Sequence, residues 1–282
     1  MLGCVILNYN DAETTTNLVQ SIKSYQVMDY IIVVDNNSTD NSFLELKKME
    51  DDNREHIYVI HSPKNGGYGY GNNVGIRYCK KLHCDYVLVA NPDVKFSEES
   101  IVESLGFIKQ HKDCAAVAPR MIGGGAIKFS RPIKDLTFSI MTLNKIFNPR
   151  RYPDTFYENK SWIYVDAIPG SLVLFDINKF SSVGLYDENV FLYHEEVIIG
   201  KRLAKAGFKS VILLKQHYYH YHSVSVKKNY KQSIKPKIFA MQSHYYYLQH
   251  YCHANGFVLR LFLLLVPIAK LEMFLWLRLK KS

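Results

Sequence analysis

Four short apolar runs, each followed by polar residues, alternate with helical segments over the first part of the chain. The runs cover residues 2–7, 30–34, 57–61 and 86–90. Helical spacing or capping signals lie between and after them, at 11–24, 39–49, 71–81 and 97–110. Because strands that alternate with helices form parallel βαβ units, the pattern predicts an α/β protein with a doubly wound, mostly parallel sheet.

The polar residues at the ends of these runs are the first candidates for a ligand site. Doubly wound sheets bind ligands beyond the carboxyl ends of their strands. The residues found there are Asn8, Asp35, His61 and the Asn91-Pro92-Asp93 turn. Asp35 suits the hydrogen bonds of a ribose or a base, and Asp93 suits a divalent cation. An ordinary strand–helix turn has the same composition, so each motif alone is ambiguous.

The stretch from Pro63 to Tyr78, PKNGGYGYGNNVGIRY, contains five glycines and leads into a predicted helix. Glycines permit a close approach of the backbone to a ligand, and helix starts bind phosphates. The spacing is not G-x-G-x-x-G, and the stretch follows the third run, not the first. Both features argue against a dinucleotide enzyme.

Two adjacent acids, Glu195 and Glu196, start a predicted helix at 195–206. A helix N-terminus stabilises carboxylates, so we expect a lowered pKa and an ionised general base; a simple capping pair is the alternative. Three histidines, His217, His220 and His222, follow a predicted strand at 210–214. Metal ligation, phosphate contact and surface clustering all stay open for them.

The charge is concentrated at one end of the chain. Of the net charge of +9, residues 201–282 contribute +14, from 15 Lys and Arg against Glu272 alone. Five widely spaced cysteines fit neither a disulfide framework nor a CxxC metal site, so we expect reduced thiols. No signal peptide is visible at the N-terminus, and we expect a cytoplasmic location.

Residues 257–281 are strongly apolar but interrupted by charges. The longest uncharged run, 261–269, is shorter than the roughly 20 residues that span a bilayer. With its basic end, this tail predicts a helix lying on an anionic membrane, attached peripherally to the inner face of the plasma membrane. Packing on the domain or in a homodimer is the alternative.

Jointly, six motifs resemble the family 2 inverting glycosyltransferases with the GT-A fold, and most closely the rhamnosyltransferase-like members that build bacterial cell-surface polysaccharides. They are VILNYN, VVDNNSTDNS, NGGYGYGNNVGI, LVANPDV, IPGSLVLF and GLYDENVFLYHEE…GKRLAKAGF. The resemblance covers residues 1–225. It implies a nucleotide-sugar-binding half at 1–120 and an acceptor-binding, catalytic half at 121–225. The composition of residues 226–282 predicts a basic and apolar helical region after this domain, with a membrane-associating tail.

The resemblance implies a metal-dependent enzyme of capsule or cell-wall polysaccharide synthesis. Such an enzyme transfers a sugar from a nucleotide-diphosphate donor to a lipid-linked saccharide. The motifs are equally compatible with dTDP-rhamnose and with UDP-sugars as the donor. A non-catalytic nucleotide-sugar or glycan-binding module is the alternative. Nucleic-acid binding would also suit the basic end, but the apolar tail favours a membrane instead, and we expect no nucleic-acid partner.

The resemblance also assigns roles to residues. Asp93, in the variant of the family's DxD motif, would hold Mn²⁺ or Mg²⁺ together with His220 or His222. Glu196 matches the catalytic base and Glu195 the supporting acid. The pair is usually Glu-Asp in the family, and a later acid of its pattern is Ile198 here. The residues assigned to the nucleotide sugar are Asn8, Asn10, Asp35, Asn37, Asn65, Gly67, Asn72 and Asn91.

Overall fold

The computed structural model describes residues 1–51, 56–122, 159–221 and 234–279. In chain order the elements of these residues are β1 (Leu2–Asn8), α1 (Ala12–Ile22), β2 (Tyr30–Asp35), α2 (Ser42–Asp51), β3 (Ile57–His61), α3 (Tyr68–Lys81), β4 (Tyr86–Ala90), β5 (Val94–Lys95), α4 (Glu98–Gln110), β6 (Cys114–Met121), β7 (Trp162–Val165), β8 (Leu172–Asp176), α5 (Ile177–Ser182), α6 (Glu195–Lys205), β9 (Lys209–His220), α7 (Lys235–His250) and α8 (Gly256–Leu279).

One mixed sheet forms the frame, in the order β3-β2-β1-β4-β8-β6-β9-β5, with β7 paired to β9. The first four strands are all parallel, as the alternation of runs and helices predicts. In the second half β8 runs antiparallel between β4 and β6, while β9 is parallel to β6. Most residue pairs in the sheet are parallel, and the predicted α/β class is confirmed.

Both faces of the parallel half are covered by helices, which explains its unbroken apolar runs. Successive residues of β1 point to opposite faces. Ile6 packs in one buried cluster with Leu18 of α1, and Val5 packs in another with Ile76 of α3. The strand ends coincide in register, with Asn8 opposite Asp35 and Asp35 opposite His61.

The strand β9 is longer than the sequence predicts. It continues past residue 214 to His220, because its second half pairs with β6 and β5. His217 and His220 therefore lie within this strand and do not follow it. The reason is long-range pairing, which the local composition of the segment HYYH does not reveal.

The C-terminal helices α7 and α8 pack on each other. Phe262 and Ala269 of α8 are buried against Met241 and Leu248 of α7. In the ranges given above, no helix has both the length and the hydrophobicity needed to cross a membrane. All five cysteines are free thiols, as predicted.

Candidate active site

A cleft of about 420 Å³ lies at the carboxyl ends of the parallel strands. Its walls come from the ends of β1, β2 and β4, the start of α3, the loop before β8 and the start of α6. Seven of the residues predicted for the site line it: Asn65, Gly67, Asn91, Asp93, Glu195, Glu196 and His220. The fold therefore brings the acid pair, the NPD turn and one of the histidines into one cavity.

Three of the other predicted residues, Asn8, Asn10 and Asp35, form a hydrogen-bond network next to the cleft but do not line it. The Asn8 Nδ2 donates to Asp35 Oδ1 over 2.9 Å, and the Ser38 hydroxyl donates to the same carboxylate. Asp35 is fully buried, so this network stabilises the turn between β2 and α2. Asn10 pairs with Thr39 of that turn.

Two of the predicted asparagines take no part in this network. Asn37 is solvent-exposed, with a left-handed backbone (φ 57°). Asn72 is buried in α3 and donates to the carbonyl of Tyr68. Neither is among the residues that line the cleft.

Asn36 is a wall residue that the sequence reasoning missed. Its Nδ2 donates to Asn65 Oδ1 and to the Gly67 carbonyl, over 3.1 and 3.2 Å. Its Oδ1 is buried and has no hydrogen-bond partner within the described part of the chain. The signal available was its place in the NNS motif, directly after Asp35. The amide thus ties the turn after β2 to the glycine-rich stretch at the wall of the cleft.

Asp93 and His220 meet because β5 pairs with β9. Val94, next to Asp93, lies opposite His220 in this antiparallel ladder. The His220 Nε2 and Asp93 Oδ1 atoms are 3.1 Å apart. The predicted His222 lies outside the described residues. Over the residues that are described, no group of three or more His, Cys, Asp or Glu could hold a metal ion.

The glycine-rich stretch joins the two halves of the cleft. Gly67 has a φ of 91°, and a Cβ on it would lie 2.2 Å from the carbonyl oxygen of Phe191. The next residue, Tyr68, donates its N–H to the same carbonyl and its hydroxyl to the carbonyl of Gly170. The sequence predicts a close approach of this backbone to a ligand; the close approach in the structure is made to the loop that leads to the acid pair.

The acid pair follows two residues with a left-handed backbone, Tyr193 (φ 72°) and His194 (φ 70°). Each such non-glycine residue costs on the order of 1–3 kcal/mol. Glu195 and Glu196 come next, as the first residues of α6, and both line the cleft. The side chain of Glu196 lies against Gly170, where a Cβ would be 3.2 Å from its Oε1. Gly170 thus leaves room for the carboxylate.

The electrostatics of the pair differ from the sequence prediction. Burial, reinforced by the charge of Glu196, raises the pKa of Glu195 from 4.5 to about 8. Burial also raises the pKa of Glu196. The predicted lowering was wrong, because a helix end is worth roughly 0.3–1 kcal/mol, whereas desolvation of a carboxylate costs several kcal/mol.

The two carboxyl groups are not equivalent. Glu195 is buried, and its Oε1 has no hydrogen-bond partner among the described residues. Glu196 is half-buried. Backbone hydrogen bonds favour the ionised form of both groups, but the charge of Glu196 opposes ionisation of Glu195 and helps to raise its pKa to about 8. We therefore infer that Glu196 ionises first, while Glu195 keeps its proton at neutral pH.

Residues 4–171 match the family model described as Glycosyl transferase family 2. A similar curated protein is the low-salt glycan biosynthesis hexosyltransferase Agl10 of Haloferax volcanii, 32% identical over 70% of this chain and 59% of that protein. Another is the N-acetylglucosaminyl-diphospho-decaprenol L-rhamnosyltransferase of Mycobacterium tuberculosis, 29% identical over 64% and 62% of the two chains. The chain thus spans about six tenths of the length of these relatives. Rhamnosyltransferase WbbL of Escherichia coli is 22% identical over 78% and 83%.

Solved structures show the same fold. GalNAc-T7 with UDP, GalNAc and Mn²⁺ has a TM-score of 0.62 at 16% identity, over 78% of this chain and 43% of that one. The mannosyltransferase PcManGT from Pyrobaculum calidifontis, in complex with GDP-Man and Mn²⁺, has a TM-score of 0.56 at 14% identity, over 95% and 74%. Together with the family match, these neighbours confirm the predicted GT-A fold.

We expect Glu195→Gln to stabilise the protein increasingly as the pH rises. Because the folded-state pKa of about 8 lies above the ordinary 4.5, the folded chain keeps a proton that the unfolded chain releases. The stability that the folded state gains from keeping this proton is fully present below the unfolded pKa and is lost as the pH rises through 8. Glutamine does not titrate, so the stability of the variant does not fall with pH at this position.

The measurement is the melting temperature of both proteins at about pH 5, 7 and 9. Glu45→Gln, which replaces an exposed glutamate of α2, is the matched control and should follow the wild type. A difference between Glu195→Gln and wild type that stays constant across this range would contradict the raised pKa.

Proposed function

The chain belongs to glycosyl transferase family 2, and from this premise we propose that it transfers a hexosyl or deoxyhexosyl group from a nucleotide diphosphate donor to a hydroxyl of a lipid-linked saccharide. The observation that carries the proposal is one cleft lined by both the acid pair and the Asp93–His220 pair. The names of the hexosyltransferase and rhamnosyltransferase relatives support the class of sugar. The decaprenol in one name supports a lipid-linked acceptor.

We assign the donor nucleotide to the wall made by the ends of β1 and β2 and the start of α3. Asn36 and Asn65 offer amide groups there, and Tyr9 offers an aromatic ring. The buried Asn8 and Asp35 act indirectly in this assignment, because they hold the turn that carries Asn36. The identity of the base, dTDP or UDP, stays a prediction.

The residues present fit a divalent cation. Asp93 provides a carboxylate and His220 an imidazole on the same wall of the cleft. Mg²⁺ and Mn²⁺ sites of phosphate-handling enzymes use one or two protein ligands and complete the shell with water and substrate phosphates. When bound, the cation would neutralise charge on the leaving diphosphate. We propose Asp93 and His220 as its protein ligands.

Glu196 is the proposed general base. Its carboxylate takes the proton of the acceptor hydroxyl while the acceptor oxygen forms a bond to the anomeric carbon. The bond from that carbon to the donor diphosphate breaks on the opposite face, so the configuration inverts. Glu195 is buried next to it and protonated, so it adds no second negative charge beside the base.

We propose a membrane role for the outer face of α8. Leu264, Ile268, Leu271 and Leu275 are spaced by four, three and four residues, which places them on one side of a helix, and each is at least half exposed. Exposed Arg260 and Lys270 add positive charge. An apolar face flanked by basic residues suits the surface of an anionic membrane; a homodimer interface would need the same apolar face.

A non-catalytic sugar-binding module is the alternative function. It predicts that the donor binds without turnover even when an acceptor saccharide is present. Two adjacent carboxyl groups with raised pKa at a cleft favour catalysis, because such groups are costly and concentrate at active sites.

Glu196→Gln should lower kcat by about 10²–10⁴-fold, the usual contribution of a general base. The substitution keeps the size and the hydrogen bonding of the side chain but removes the proton acceptor, so donor affinity should change little. Steady-state sugar transfer and donor titration measure the two quantities. Glu195→Gln is the comparison and should lose less activity. If only Glu195→Gln is inactive, the roles are reversed; if both variants are active, α6 does not carry the base.

Asp93→Asn should abolish the Mn²⁺-dependent part of nucleotide binding. The substitution removes the charged ligand and retains the shape of the side chain. The readout is the stabilisation by UDP or dTDP with and without Mn²⁺, which reaches about 2.7 kcal/mol for a ligand at a hundredfold its Kd. Exposed Asp113 provides the control Asp113→Asn, with unchanged binding. Full metal-dependent binding by Asp93→Asn would refute the metal role.

Replacing Leu264, Ile268 and Leu271 by glutamine should release the protein from anionic vesicles. A fully buried leucine contributes about 1.5–3 kcal/mol relative to an exposed one, so we expect a loss of at least about a hundredfold in partitioning. Vesicle sedimentation measures it, and Leu44→Gln with Val102→Gln controls for the loss of exposed apolar residues elsewhere. If the wild-type protein does not bind vesicles but sediments as a dimer, the apolar face of α8 is a dimer interface.

A further inference from the structure

The loop that leads to the acid pair is held by one face of the C-terminal helix α7. Phe239 packs on Phe191, with ring centroids 4.6 Å apart. The Ser243 hydroxyl donates to the carbonyl of Leu192 over 2.8 Å. Phe239, Ser243 and Tyr247 are spaced by four residues, so they lie on one side of α7.

The shortest of these contacts joins two histidine rings. The His194 Nε2 and His244 Nδ1 atoms are 2.6 Å apart, and the rings meet edge to face. His244 is only 1% exposed. Its other side stacks on Phe262 of α8, and Tyr247 lies 5.6 Å from the His194 ring. Packing against α8 therefore fixes the His244 ring independently of its contact with His194.

This contact acts at the point where the backbone is strained. His194 is the residue before Glu195 and the N-cap of α6, and its side chain makes no capping hydrogen bond to that helix. Strained residues persist only where their surroundings determine their conformation. For His194, the contact with His244 supplies that determination.

A hydrogen bond between two imidazoles needs one N–H donor and one bare nitrogen acceptor. Both rings can satisfy this when they are neutral. Burial lowers the pKa of His194 to about 4, which agrees with a neutral ring at physiological pH.

We propose that His244 is a positioning residue for the reaction: through its hydrogen bond to His194 it fixes the left-handed turn that aims Glu195 and Glu196 into the cleft. The proposal rests on the proposed catalytic role of the acid pair. It makes α7, which lies outside the residues matched by the family model, a necessary part of the active site.

Two substitutions separate hydrogen bonding from packing. His244→Phe keeps the ring that stacks on Phe262 but has no nitrogen. His244→Asn loses the ring but places an amide close to the position of Nδ1. We expect His244→Phe to lower kcat by roughly ten- to a hundredfold, because a misplacement of about 1 Å can cost about a hundredfold. The Kd of the donor should stay within about twofold, and His244→Asn should recover most of the lost kcat.

His250→Phe is the matched control. It makes the same substitution on the same helix at an exposed position, where the ring lies beside Tyr246. It should behave as wild type. Ser243→Ala, which removes the bond to Leu192 without changing a ring, tests the same face if His244→Phe does not fold, and it should lower kcat with the donor Kd unchanged.

The outcomes are distinct. A wild-type chain that binds donor but transfers no sugar would overturn the proposed function itself. An active wild type with unchanged kcat in His244→Phe would overturn the positioning role of His244. Unchanged kcat in Ser243→Ala, which leaves the His194–His244 contact intact, would overturn the dependence of the active site on α7. Equal losses in His244→Phe and His244→Asn would also overturn the positioning role of His244, because a side chain that restores the hydrogen bond would then recover none of the lost kcat.

Discussion

The antiparallel pairing of β8 with β4 is the constraint on which the cleft depends. Because β8 runs opposite to β4, it begins where β4 ends, and the N–H of Asn91 donates to the carbonyl of Ser171 over 2.8 Å. This places Gly170 next to the NPD turn. Tyr68 and Glu196 both contact Gly170, from the glycine-rich helix and from the acid pair. If β8 were parallel to β4, the loop before β8 would lie at the opposite end of the strands, away from the cleft.

The site is costly in stability, and the surrounding structure offsets this cost. Two carboxyl groups are desolvated side by side, and two left-handed residues precede them. A hydrogen-bond network around Asp187 supports the same loop. Asp187 accepts hydrogen bonds from Arg202 of α6 and from Tyr246 and Tyr251 of the C-terminal region. Although burial opposes it, the hydrogen bonds from Tyr251 and Asn189 and the charge of Arg202 keep the pKa of Asp187 low, so the charge of the network persists. Strain at the site and polar anchoring around it are the expected combination at a functional centre.

Much of the parallel half could be predicted from the sequence, because strands and helices there alternate locally. The end of β4 and the start of α6 were placed correctly, and with them Asp93, Glu195 and Glu196. What failed depended on distant partners. The length of β9 follows from pairing with β5 and β6, and the pKa of Glu195 follows from burial under other elements. Asn36 was missed because its neighbour Asp35 has the more conspicuous chemistry, although only Asn36 of the two lines the cleft.

The C-terminal helices support the catalytic loop with one face and expose an apolar surface with another. Phe262 of α8 stacks on His244, and His244 contacts His194, so a continuous series of packed side chains runs from the exposed helix to the acid pair. The inner face of α8 therefore supports the geometry of the cleft, while its outer face carries the exposed leucines. Removing residues 257–282 as a whole would uncover His244 and the apolar side of α7. A loss of activity after such a truncation would then report on the catalytic loop as much as on membrane attachment. Substitutions confined to the outer face are the ones that distinguish the two roles.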